Sequence, residues 1–125
     1  MSISISEAIA RIDSLKHNTY SALDKIEWLS RVDSMVKRLI VDTHEGADNV
    51  TFSGYDENTD VNTELLVPAP FDEVYLRWME AQIDYHNGDY GKYNNAIQMY
   101  NTSFEAYRNY YNREHMPIGT HIKYF

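Results

Sequence analysis

From Tyr90 to Glu114 the chain runs without a proline and with one early glycine, Gly91. Inside that run Tyr93, Ile97, Tyr100, Phe104, Tyr107 and Tyr111 recur at spacings of 4, 3, 4, 3 and 4. That alternation keeps large rings on one face of a helix, at coiled-coil spacing. A strand would send alternate residues of such a series to opposite faces. The segment therefore predicts a long helix, and a long helix with one apolar face needs other helices to cover it. Tyrosine can bury its ring while its hydroxyl reaches water or a polar partner. A face built this way suits the core of a thin bundle and a partly wet interface, with Tyr110 and Tyr111 as candidate subunit contacts.

The remaining sequence supplies the partners. Ser4 and Glu7 have capping-box spacing ahead of Ile5, Ile9, Ile12 and Leu15, which predicts a short first helix. A second helix is expected from about Ser21 to about Asp42. Ile26, Leu29, Val32, Val36 and Leu39 form its stripe, widened by Trp28 and Met35. Lys25, Glu27, Arg31, Lys37 and Arg38 read as its solvated face. A third helix is expected after "PAPFDEV", with Pro70 in its first turn and a stripe of Phe71, Val74, Tyr75, Trp78, Gln82 and Tyr85. Gly88 ends it. The short connection "NGDYG" favours antiparallel packing of the third and fourth helices.

Between the second and third helices, "NVTFSGY" and "NTELLVP" are β-rich runs flanking the polar "DENTDV". They predict a β-hairpin near residues 50–67. A lone hairpin is marginal in water, so this one needs helices or a neighbouring subunit beside it. The expected fold is mainly α: a small bundle of about four helices with one inserted β-hairpin, spanning 1–115. The tail 116–125 follows, carrying Ile118, Ile122, Tyr124 and Phe125.

Several function classes are disfavoured. With no cysteine, disulfides and thiolate chemistry are excluded. The formal net charge is −8, the reverse of a basic nucleic-acid footprint. Asp56, Asn58 and Asp60 imitate a calcium loop, but Val61 stands where glycine is required and Val67 where a bidentate glutamate is required. The histidines form no HExxH pair, and His44 beside Glu45 reads as a surface pair. Glu73, Glu80 and Asp84 share helical spacing and read as a charged outer face. Gly-rich phosphate loops and a GxSxG elbow are absent. No enzyme, cofactor or metal is expected. No signal peptide or membrane span is expected either.

The stretch from Asn62 to Pro117 carries a resemblance. Val67-Pro68, the aromatics around Tyr75 and Trp78, Gln82 to Tyr85, Lys92 to Asn95, and Tyr110 to Arg113 are its most telling residues. "DTHEG" and "GYDENTD" belong with them. The chain resembles phage and prophage head–tail connector (adaptor) proteins of Gram-positive bacteria. The resemblance implies a structural virion subunit that assembles as a homo-oligomeric ring under the portal. Tail or tail-completion proteins would be further partners, and DNA would pass through the lumen as cargo. It also implies assembly in the bacterial host cytoplasm and residence in the virion. An acidic lumen would keep from gripping phosphate. The alternative is a small non-enzymatic, monomeric or dimeric interaction or regulatory module. Unpaired strand edges and apolar tails are natural contacts. Phe52, Tyr55, Leu65, Tyr110, Tyr111, Ile118, Ile122, Tyr124 and Phe125 are accordingly the candidate protein-interaction residues.

Overall fold

A computed structural model describes residues 2–116, and its architecture is mainly helical. Helix α1 spans Ile5–Leu15, α2 Ala22–Leu39, α3 Glu73–His86 and α4 Tyr90–Glu114. Two single 3-10 turns, Val41–Thr43 and Ala47–Asn49, follow α2. No helix among the described residues is long and apolar enough to cross a membrane. The tail residues Ile118, Ile122, Tyr124 and Phe125 lie outside the described residues.

The helix starts follow from their caps. Ser4 Oγ accepts from the Glu7 amide at 3.2 Å, and the Ser4 amide donates to Glu7 Oε1 at 2.9 Å. This reciprocal pairing satisfies two amides that the helix itself leaves free. Ser21 caps α2 through the Asp24 amide, and Asp89 caps α4 through the Lys92 amide. Pro70 is not in a helical first turn as expected. It sits in a turn over residues 69–72, and α3 starts at Glu73 with Asp72 as its cap residue.

Helix α3 is central. It packs along α4 and also against α1 and α2, while α1 and α2 touch one another. Gly88, at φ +80, closes the tight α3–α4 connection. The core joins Ile5 and Ile12 of α1, Leu29, Val32 and Val36 of α2, and Val74, Tyr75, Met79 and Ile83 of α3. From α4 it takes Tyr100, Phe104, Tyr107 and Tyr111. The α4 stripe is thus buried along its C-terminal two-thirds. Ile97 and Trp78 pack against the core as half-buried residues, whereas Leu39 is exposed.

The expected β-hairpin is absent. Among the described residues the only sheet-like contact is an isolated antiparallel bridge between Ser4 and Glu64. The reason is that the backbone groups of 61–67 find other partners. The Leu65 amide donates to Ile3 O at 2.9 Å, and the Ile5 and Ser6 amides donate to Thr63 O and Val61 O. The N-terminus takes the place that residues 50–55 were expected to fill. Period-two alternation does hold locally, since Leu65 and Val67 are buried and Glu64 is exposed. The intervening loop is two tight turns. Asp56 Oδ1 accepts from the Asn58 amide and Asp60 Oδ1 from the Asn62 amide, both at 2.9 Å. Such short-range carboxylate–amide bonds are the usual turn chemistry of aspartate.

Three charged residues expected on the surface are buried. Lys25 is inside, its Nζ 2.7 Å from Asp13 Oδ1. Asp84 is inside, 2.8 Å from Lys16 Nζ. His44 is buried at 3% exposure and does not pair with Glu45 on the surface. A buried charge is tolerated where a partner of opposite sign is in reach, which explains Lys25 and Asp84. Glu73 and Glu80 do lie toward solvent, both bonded to Arg77.

Candidate functional site

The loop 50–67 is held by a single buried carboxylate. Asp33 lies on α2 at 0% exposure. Its Oδ1 accepts from the Tyr75 hydroxyl at 2.6 Å. Its Oδ2 accepts from the Tyr55 hydroxyl at 2.5 Å and from the Leu66 amide at 3.1 Å. Tyr75 in turn accepts from the Val67 amide at 2.7 Å. The Tyr55 amide adds a bond to Ser30 Oγ at 3.0 Å. One helix position thereby fixes both sides of the loop. Burial pushes the Asp33 carboxyl up to about 6 from its ordinary 3.8, and its three donors limit the rise. Burial and the neighbouring carboxylate push both tyrosine hydroxyls well above their usual range. These phenols are hydrogen-bond donors and not nucleophiles.

Phe52 and Tyr55, both half-buried, stack edge to face with centroids 5.1 Å apart. They line a shallow groove of about 310 Å³ with Gly54, Thr63, Glu64 and Leu66. Leu65, 2% exposed, points into the core. The structure therefore brings Phe52 and Tyr55 together and turns Leu65 away from them.

A second cluster joins the end of α4 to the turn after α2. His44 Nδ1 donates to Ile40 O at 2.5 Å, and its Nε2 lies 2.6 Å from Asn112 Oδ1. The Tyr111 ring meets His44 edge-on at 4.9 Å and stacks on His115 at 3.9 Å. Tyr111 is buried. Tyr110, half-buried, stacks against Phe71 at 4.9 Å. Tyr110 and Tyr111 are neighbours with opposite roles: the first leaves ring area for a partner, while the second is consumed inside the subunit.

Sequence reasoning missed Asp33 and His44. Asp33 had a signal. It sits seven positions after Ile26, four after Leu29 and three before Val36, on the apolar stripe itself. A carboxylate at such a position must be satisfied by buried donors. Among the described residues no group of three or more histidine, aspartate or glutamate side chains could hold a metal ion. Comparison of the chain with models of known families, with characterised proteins and with solved structures finds no match.

Proposed function

We propose that the protein is a non-enzymatic structural subunit, a head–tail connector (adaptor) of a phage or prophage. It would assemble as a ring under the portal and let DNA pass to the tail. The observation that carries this reading is the resemblance of residues 62–117, most of which fall on the antiparallel pair α3 and α4. The buried polar groups support a structural role. Asp33, His44, Lys25 and Asp84 are each engaged by internal partners, as in a rigid body built to be held by others. Phe52 and Tyr110 are both half-buried and leave ring area for a partner, which suits a subunit held by its neighbours. Contacts of this kind can be individually weak, because repetition around a ring multiplies them.

The test is co-assembly with the cognate portal. The full chain should bind portal rings, and Phe52→Ala with Tyr110→Ala should weaken that binding without changing the helical circular dichroism. Deleting residues 116–125 should also reduce binding. Unaltered assembly after both changes overturns the assignment of contacts, and failure of the full chain to bind the portal overturns the function.

A second reading, a monomeric or dimeric interaction module, is favoured by one observation: Leu65 and Tyr111 are already buried in the single chain. Sedimentation of the isolated chain mixed with portal separates the two.

A further inference from the structure

A cleft of about 480 Å³ opens between the first half of α2 and the last turn of α3. We propose that it receives an arginine or lysine side chain from a protein partner. This reading goes beyond the connector assignment and does not depend on it.

The walls of the cleft are aromatic. Trp28 forms the floor, with His86 nearly parallel to it at 6.1 Å and 12°. Tyr20 meets Trp28 edge-on at 5.7 Å. The Tyr20 hydroxyl donates to Asn87 Oδ1 at 2.7 Å, which fixes that ring to the end of α3. Tyr85 stands at the mouth, 5.5 Å from His86 and 5.9 Å from Tyr90. Tyr85 is 50% exposed and Tyr90 60% exposed. Such a run of large rings at water is the composition of a contact surface, where tyrosine and tryptophan are enriched.

The charges select the occupant. Asp24 and Glu27, on the α2 side, have no ion-pair partner among the described residues. Arg31 is the lysine or arginine that also lines the cleft, and it too is unpaired there. Carboxylates therefore outnumber these cations two to one, beside ring faces that carry the negative side of an aromatic quadrupole. A cation gains from both features at once. A guanidinium fits best, since its plane can lie on the Tyr85 ring while its fork meets a carboxylate. Nucleic acid would also stack on these rings, but its phosphates would face two free carboxylates on a chain of net charge −8.

The probe is a short peptide, acetyl-Gly-Arg-Gly-Arg-Gly-amide, titrated into the full chain and followed by NMR. Saturable shifts are expected at the Trp28 indole and the Tyr85 and His86 rings. The peptide with citrulline in place of arginine should give none. Asp24→Asn with Glu27→Gln should weaken binding by about fivefold. Glu105→Gln with Glu114→Gln removes the same charge from the exposed C-terminal half of α4, which does not line the cleft, and should leave it unchanged. Tyr85→Ala, at an exposed position, should weaken binding to a similar extent and covers the case in which the α2 variant fails to fold. The proposal is overturned if shifts at the cleft are absent or citrulline binds equally. Equal weakening by the two charge pairs, or full binding by the Tyr85→Ala variant, overturns it as well.

Discussion

The Tyr75 hydroxyl donates to Asp33 Oδ1 at 2.6 Å, joining α3 to α2 across 42 positions of sequence. The same oxygen atom of Tyr75 accepts from the Val67 amide. Tyr75→Phe keeps the ring and removes both bonds, leaving Val67 N–H and one lone-pair site of Asp33 without partners. A loss of about 2 kcal/mol in urea unfolding is expected, the usual consequence of stranding buried polar groups. A loss below about 0.5 kcal/mol would show that the hub does not organise the loop.

The pH dependence of stability has a definite sign at Asp33. Its carboxyl titrates at about 6 when folded and at the ordinary 3.8 when unfolded. Between these values the folded state binds more protons, so this group's contribution is complete below 3.8 and is lost as pH rises through 6. The span corresponds to about 3 kcal/mol. Glu7 and Asp13, both held below their usual range, act in the opposite sense at lower pH. The measurement is therefore the difference between wild type and Asp33→Asn from pH 4 to 7. That difference should shift in favour of the wild type as pH falls, and a flat difference would contradict the assignment.

Tyr100 separates ring from hydroxyl. The ring packs 4.9 Å from Trp78 and is buried, so Tyr100→Ala should cost about 3 kcal/mol. The hydroxyl is buried with no hydrogen-bond partner, and burial pushes it up to about 12. Tyr100→Phe should then stabilise the fold by about 1 kcal/mol, because a polar group without a partner is removed. A destabilising Tyr100→Phe would reveal an acceptor for that hydroxyl.

The loop aspartates are engaged by backbone amides. Millimolar calcium should accordingly leave the melting temperature unchanged, since only a ligand selective for the native state raises it. A clear rise would assign the loop a cation site.

The tyrosine helix was legible because its signal is internal: a spacing that only a helix satisfies. The caps at Ser4, Ser21 and Gly88 were legible for the same reason. The hairpin was not. Residues 64–67 alternate in burial as a strand does, and only Glu64 of them is bridged, with a bend at Leu66 and Val67. β-propensity describes a residue's fit to a half-buried extended surface and does not name the partner. The partner was residues 3–6. The third helix was read as having one stripe, yet Met79, Ala81 and Ile83 are buried while Tyr85 is exposed. A helix packed on three others is covered around much of its circumference, so a single-stripe pattern underestimates it. His44 illustrates the same limit. Its environment is made by Asn112, 68 positions away, and no local pattern announces that return.

The bridge from Ser4 to Glu64 spans 60 positions, whereas α3 and α4 are joined through a tight turn. Closing the longer loop costs more chain entropy before any contact rewards it. On that ground the α3–α4 pair is the expected nucleus, and the N-terminal residues bridged to Glu64 are expected to lock last. In kinetic terms, substitutions at Tyr100 or Met79 are expected to slow folding, and substitutions at Ile3 or Leu65 to speed unfolding, which the two arms of a denaturant chevron would separate.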